Sequence, residues 1–283
     1  MNTTLIIQII VAFVIGGCFI TLLSLLAERA NENVAGIIMM FPSTIVLGFF
    51  FLGLTTSAEK VSLIIPATLI PLGIVIFSSV IYIYCSIFFS KYFKSKITQI
   101  AITFGTSSLI WFLLAVPFAI WKFTNLIAGI AGFFFLITVT HLILDNRKYP
   151  EEIPRPKYTK MQVTIRAFFT GSIIATVVLL GKALNPFWGG VFTMYPVATF
   201  AALVIFHFYY QPGQLFYFFK QAPIGSIALF IYVIAVMMLF PKFGIVVGTI
   251  LSYSFSFAFS ILLIRYQLKL KIETQNLPDR RFH

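Results

Sequence analysis

Two apolar stretches of this chain place a proline beside hydroxyl-bearing or aromatic side chains at matching spacing. Each proline lacks a backbone N–H, so a helix that contains it leaves a carbonyl oxygen free on the preceding turn. Neighbouring hydroxyl groups can satisfy that oxygen or bind a ligand. The predicted chemistry is reversible binding, and the alternative is a kinked helix pair that packs closely through its glycines. The residues concerned are Gly36, Pro42, Ser43 and Thr44 in the first stretch and Gly190, Tyr195, Pro196 and Thr199 in the second.

Seven further polar residues are candidates for a gate or a proton relay, because ionisable groups inside membrane spans are costly and are usually functional. No Asp or Glu lies deep in a predicted span, which argues against ion coupling through a buried carboxylate. His141 precedes Asp145 by one helical turn, so the two side chains can share a face. The alternative roles are helix capping, snorkelling and packing at the membrane interface. The seven candidates are Glu28, Asn31, His141, Arg166, Lys182, Asn185 and His207.

Motifs of known catalytic sites are absent from the sequence. It contains no Gly-x-Ser-x-Gly, no His-Glu-x-x-His, no P-loop and no paired aspartates for a diphosphate. Cys18 and Cys85 both lie in apolar segments and lack metal-ligand spacing. The net charge of +12 comes from residues in short loops and at the C-terminal end, so we do not expect nucleic-acid binding. We expect no enzyme activity, no cofactor and no metal.

The composition indicates an all-α polytopic membrane protein. Hydrophobic residues make up 60% of the chain, charged residues 10%, and the mean hydropathy is +1.00. Soluble domains carry about 25% charged residues. The backbone of a chain that lies mostly in lipid must satisfy its own hydrogen bonds, as helices do. Nine spans are predicted, at 5–26, 34–54, 62–89, 97–121, 125–144, 161–181, 188–210, 222–240 and 243–265.

The Lys and Arg residues divide unevenly between alternate loops. The loops after spans 1, 3, 5 and 7, with the C-terminal end, carry 15 of them, and the opposite loops carry four. The remaining basic residue, Arg166, lies inside span 6. By the positive-inside rule the richer face is cytoplasmic. This predicts an inner (cell) membrane protein with its N-terminus outside and its C-terminus in the cytoplasm.

The two proline stretches are part of a longer internal repeat with an offset of 154 residues, the distance from Pro42 to Pro196. Five spans separate equivalent helices, so the copies have opposite orientations in the membrane. Such inverted repeats are typical of secondary transporters, whose substrates bind near the midplane. The predicted units are 1–121 (repeat 1, four helices), 122–160 (linker helix and cytoplasmic basic loop), 161–266 (repeat 2, four helices) and 267–283 (basic cytoplasmic tail).

The first stretch, from Ala35-Gly36 to Pro42-Ser43-Thr44, resembles the second helix of GlpM-type small inner-membrane proteins. It is also similar to uncharacterised membrane proteins that carry Gly-x5-Pro-Ser-Thr after a turn like Glu28-Arg29. The resemblance implies a four-helix unit, here duplicated, and brings no established reaction. The second copy has Val197-Ala198 in place of Ser-Thr, so the resemblance implies an asymmetric site.

The leading functional hypothesis is a carrier that moves a small or amphipathic solute by alternating access, with its site at the midplane between spans 2 and 7. The alternative is a non-transporting assembly or accessory protein. The chain contains 34 Phe, and in this alternative its aromatic-rich surface and its basic face bind other proteins or anionic lipid. The expected partners are the bilayer and a small-molecule or lipid-like substrate, and the sequence is compatible with a homo-oligomer.

Overall fold

The computed structural model describes residues 3–29, 43–145 and 159–275. Its described part is built from helices connected by short turns, with one 3₁₀ turn at Pro212–Gln214. The helices are α1 (Thr3–Arg29), α2 (Ser43–Thr55), α3 (Ala58–Phe89), α4 (Lys96–Ile120), α5 (Leu126–Asp145), α6 (Lys160–Ala183), α7 (Pro186–Thr193), α8 (Val197–Tyr209), α9 (Leu215–Phe219) and α10 (Ala222–Gln275).

Six helical stretches of the described chain are long and apolar enough to cross a membrane: α3, α4, α5, α6, the α7–α8 pair and α10. Two shorter apolar stretches, Thr3–Phe19 and Thr44–Thr55, accompany them. Many large apolar side chains face outward, such as Leu109, Leu113 and Ile127. An outward apolar surface is costly in water and favourable in lipid. The expectation of a helical, multi-pass membrane protein is confirmed at this level.

Helix α3 forms the centre of the bundle, because α4, α5, α7, α8 and α10 all pack on it. Ser57 caps its first turn by accepting a hydrogen bond from the Lys60 amide. The helix continues through Pro66 and Pro71. Glycines on α5 allow α5 to approach α3 closely, since a Cβ at Gly129 would lie 3.1 Å from the Pro66 carbonyl oxygen.

Helix α10 has 54 residues, and the chain reverses its direction within it at Gly244. That residue has φ 73° and ψ −178°, a conformation that is essentially restricted to glycine. The arms, 222–243 and 245–275, pack antiparallel: Gly248 lies against the Phe240 backbone, and the Ser256 hydroxyl donates to the Ala228 carbonyl at 2.7 Å. The sequence prediction put this boundary at 241–242, which is helical in the structure.

Helices α1 and α6 cross antiparallel through glycines. A Cβ at Gly17 would lie 3.2 Å from the Ala167 carbonyl oxygen, and a Cβ at Gly171 would lie 2.6 Å from the Phe13 carbonyl oxygen. These two contacts are related by the 154-residue offset, because 13 and 17 correspond to 167 and 171.

Three polar contacts gather helix ends at one end of the bundle. The Lys96 ammonium donates to the Tyr210 carbonyl at 2.9 Å, where α4 begins and α8 ends. Gln162 in the first turn of α6 donates to the Tyr209 hydroxyl at 3.3 Å. Asp145 at the end of α5 pairs with Lys220 at 3.6 Å. Helices α5 and α8 therefore end on the side of the bundle where α4 and α6 begin.

Candidate functional site

The predicted seventh span is interrupted in the structure. Helix α7 ends at Thr193, and α8 begins at Val197, directly after Pro196. The backbone amides of the break remain bonded: Tyr195 donates to the Phe192 carbonyl at 3.0 Å, and Val197 donates to the Tyr195 carbonyl at 2.8 Å. Because Pro196 has no N–H and cannot continue the α7 ladder, the chain bends here.

The break turns Tyr195 into the core, where only 9% of it is exposed. Its hydroxyl lies 2.8 Å from the Ser108 hydroxyl. The tyrosine ring meets Trp111 edge-on at 5.1 Å between centroids and stacks on Phe112 at 5.5 Å. Ser108 is the middle residue of α4, a helix about 37 Å long at 1.5 Å per residue. The pair therefore lies near the middle of the predicted membrane layer.

Helix α4 presents a buried polar stripe beside this pair, at intervals of four residues: Gln99, Thr103, Ser107 and Trp111. Within the described chain, the Thr103 hydroxyl and the Trp111 indole N–H are buried and have no hydrogen-bond partner. The Cys85 thiol of α3 lies next to Ser107. Each unpaired buried group costs about 1–3 kcal/mol. Such groups are places where a water molecule or a ligand can supply the missing partners.

The stripe leads towards a second polar cluster at the end where α8 terminates. His207 is fully buried, and its Nδ1 atom lies 3.3 Å from the Tyr82 hydroxyl of α3. The imidazole and the Tyr82 ring are edge-on, with centroids 5.9 Å apart. Lys96, at the start of α4, acts electrostatically on His207. The His207 side chain is thus buried inside the protein, while its relay role and the alternative of packing at the membrane interface both stay predictions.

The first proline stretch lies mostly outside the described residues, which exclude Gly36 and Pro42 as well as the gate candidate Asn31. Ser43 is the first residue of α2, and its side chain is not described. Thr44 is buried, and its hydroxyl has no partner among the described residues. The predicted pairing of the two proline stretches therefore stays a prediction.

In the second stretch, Gly190 packs against Ile64 and Thr68 of α3, where the absent Cβ permits close approach. Pro196 is buried at the start of α8, and Thr199 is half-buried one turn further on. Helix α2 reaches α7 through Gly48, whose Cβ position lies 2.6 Å from the Thr193 methyl group. Spans 2 and 7 are therefore neighbours, but the Tyr195 hydroxyl bonds to α4.

The other gate candidates occupy varied positions. Lys182 is exposed in the last turn of α6, and Asn185 caps α7 by accepting from the Phe187 amide at 3.0 Å. Arg166 is half-buried on α6, and Glu28 lies in α1 with its side chain not described. His141 is half-buried, and its Nδ1 atom has no partner among the described residues.

Sequence reasoning missed Thr103, Ser108 and Trp111 on α4 and Tyr82 on α3. For α4 the sequence does contain a signal, since Gln-x3-Thr-x3-Ser-x3-Trp in an apolar helix places four polar groups on one face. Tyr82 has no such signal, because its partner His207 is 125 residues away. Among the described residues, no three His, Cys, Asp or Glu side chains come together as a metal site.

The fold and its buried polar interior define an α-helical, multi-pass membrane protein. No protein-family model, curated protein or solved structure matches the chain.

Proposed function

We propose that this protein is an integral membrane carrier that moves a small or amphipathic solute by alternating access. The observation that carries the proposal is the interrupted α7–α8 helix, which turns the buried Tyr195 hydroxyl towards Ser108 at the middle of α4. Interrupted helices at the midplane are the usual binding sites of secondary transporters. The site therefore extends beyond spans 2 and 7 to include the polar face of α4.

The helix boundaries support the inverted repeat that this mechanism uses. Helix α2 ends at Thr55 and helix α8 ends at Tyr209, positions that differ by 154. In the same register, α3 ends at position 89 and the first arm of α10 ends at 243.

The reciprocal glycine contact supports the opposite orientation of the two repeats. Helices α1 and α6 are equivalent in the repeat, and they pack antiparallel. Two equivalent helices that cross a membrane side by side and antiparallel have opposite topologies. We accordingly propose nine spans, with the N-terminus outside and the C-terminus in the cytoplasm, on the same side as the basic loops.

The lining of the site favours an amphipathic solute. Around the Tyr195–Ser108 pair lie the aromatic rings of Trp111, Phe112 and Phe200. The polar groups there are hydroxyls and an indole N–H, and none carries a formal charge. A solute with an apolar body and a few hydrogen-bonding groups matches this set.

Thiol accessibility tests the carrier proposal. In a background with Cys18→Ser and Cys85→Ser, we would introduce Thr199→Cys on α8 and, as a matched control, Leu109→Cys. Leu109 lies at a similar depth on α4 but faces outward, with 58% of it exposed. A membrane-impermeant, water-soluble thiol reagent should label position 199 and leave position 109 unlabelled, because only the carrier path admits water.

Labelling of position 199 from neither side of the membrane, under any solute condition, would reject alternating access and favour the accessory-protein alternative. The topology has a separate check, since a reporter fused to the C-terminus should read as cytoplasmic. A reporter that reads as external would overturn the predicted orientation without affecting the site itself.

A further inference from the structure

His207 is a buried imidazole with an unmet hydrogen-bonding need. It is 0% exposed in the last turn of α8, and only its Nδ1 atom has a partner, the Tyr82 hydroxyl at 3.3 Å. The Nε2 atom has no partner within residues 3–29, 43–145 and 159–275. Whichever tautomer is present, the Nε2 atom lacks a hydrogen-bond partner among the described residues, and an unpaired buried polar atom is destabilising. A state that hydrates Nε2 would remove this cost.

Every helix that packs on α8 brings ionisable groups to this end of the bundle. The Tyr82 hydroxyl contacts the imidazole directly, and the Lys96 ammonium, which is held by the Tyr210 carbonyl, acts on it electrostatically. Gln162 ties the first turn of α6 to Tyr209, so Arg166 lies one turn further into the membrane. The groups are Tyr82 and Cys85 from α3, Lys96 from α4, Arg166 from α6, Tyr217 from α9, and Tyr209 and Tyr210 at the end of α8.

The chemistry of this cluster suits a proton better than a metal ion or a charged solute. Glu59 and Asp145 are the acidic residues whose side chains the structure describes, and both are exposed. Histidine is the side chain whose charge changes near neutral pH. The imidazole is enclosed by aromatic rings such as that of Tyr82, and a proton needs no cavity to bind.

We infer that His207 is the proton-binding residue of the carrier and that protonation favours a conformation open at the end where α8 terminates. This deepens the proposed function by naming its coupling ion, and it rests on that function. A proton passes from water to the unprotonated ring nitrogen, which creates an imidazolium ion. A charged imidazole beside Lys96 is poorly accommodated while the cluster is dry and well accommodated once water enters. Proton binding therefore shifts the population towards the open, hydrated conformation.

A native thiol reports this opening. Cys85 lies one turn from Tyr82 on α3 and contacts Ser107, whereas Cys18 is exposed on α1 and is removed by Cys18→Ser. We would measure the labelling rate of Cys85 with a water-soluble thiol reagent in proteoliposomes without solute. At each pH, the rate is divided by that of the His207→Gln variant, because the ratio cancels the pH dependence of thiol chemistry itself.

The rate ratio should rise at least about threefold as the pH falls from about 8 to about 5.5, across the ordinary range of histidine. A ratio that does not change with pH overturns the proposal. A Tyr82→Phe variant, which keeps the ring and His207, guards against misfolding of His207→Gln. In this variant the rate ratio should still rise at low pH, but the pH at the midpoint of the rise should shift. A midpoint identical to that of the protein with Tyr82 would also count against proton binding at His207.

The labelling experiment uses no solute, so its result is separate from that of the carrier test. A pH response in a protein whose position 199 stays inaccessible would reject the carrier and leave a proton-binding site. A flat ratio in a protein whose position 199 is accessible would reject the proton site alone.

Discussion

Replacing Gly171 by alanine perturbs the crossing of α1 and α6 in a way that the structure makes quantitative. The new methyl group would lie 2.6 Å from the Phe13 carbonyl oxygen, and ordinary contact begins at 3.4 Å, so the helices must separate by about 0.8 Å. Overpacking of this kind typically costs about 1–3 kcal/mol. Alanine returns about 0.5–1 kcal/mol through its better helix propensity. We therefore expect a net loss of about 1–2 kcal/mol in the free energy of unfolding.

Two matched glycines supply the controls. Gly17→Ala meets the Ala167 carbonyl oxygen at 3.2 Å, a contact that a small shift can relieve, so its effect should be close to zero. Gly105→Ala on α4 meets nothing within 4 Å and should be neutral or stabilising by up to about 1 kcal/mol. The assay is reversible unfolding in mixed micelles, followed by far-UV circular dichroism. If Gly171→Ala were as stable as Gly105→Ala, the antiparallel crossing would be wrong.

Three other predictions concern single contacts. In a double-mutant cycle, Tyr195→Phe and Ser108→Ala should show a coupling of about 0.5–1.5 kcal/mol in the same unfolding assay, and additive effects would show that their hydrogen bond is not formed. Gly244→Ala should lower the free energy of unfolding by about 1–3 kcal/mol, because alanine is strained at φ 73°; unchanged stability would mean that the reversal does not use this conformation. Asp145→Asn should cost less than about 1 kcal/mol, since its ion pair with Lys220 is largely exposed, and a larger loss would indicate a buried role.

Much of the helix layout could be predicted from the sequence, because charged or polar residues bracket the apolar runs. The predicted spans 97–121, 125–144 and 161–181 agree with α4, α5 and α6 to within two residues at each end. The interruption at Pro196 was also predicted, since proline breaks the hydrogen-bond ladder in any surrounding. These features depend on local chemistry alone.

The contacts that build the site could not be predicted in the same way. Hydropathy treats Ser108 as a near-neutral member of an apolar run, and nothing local to it indicates Tyr195 as its partner. The position of the reversal in α10 also differed, because Pro241-Lys242 looks like a boundary while only Gly244 can adopt the required backbone angles. The Ser108–Tyr195 contact depends on how the helices pack, whereas the reversal depends on the backbone freedom of one glycine that stands two residues after the apparent boundary.

The single-residue reversal at Gly244 has a consequence for how the chain enters the bilayer. The two arms of α10 are joined without an extended loop, so Lys242 is the one charged side chain beside the reversal that has to be carried across the lipid when they insert. An arm inserted alone would leave Ser256 without the Ala228 carbonyl that accepts its hydrogen bond. We therefore expect the two arms to enter the bilayer together, as a hairpin whose helices are already packed on each other.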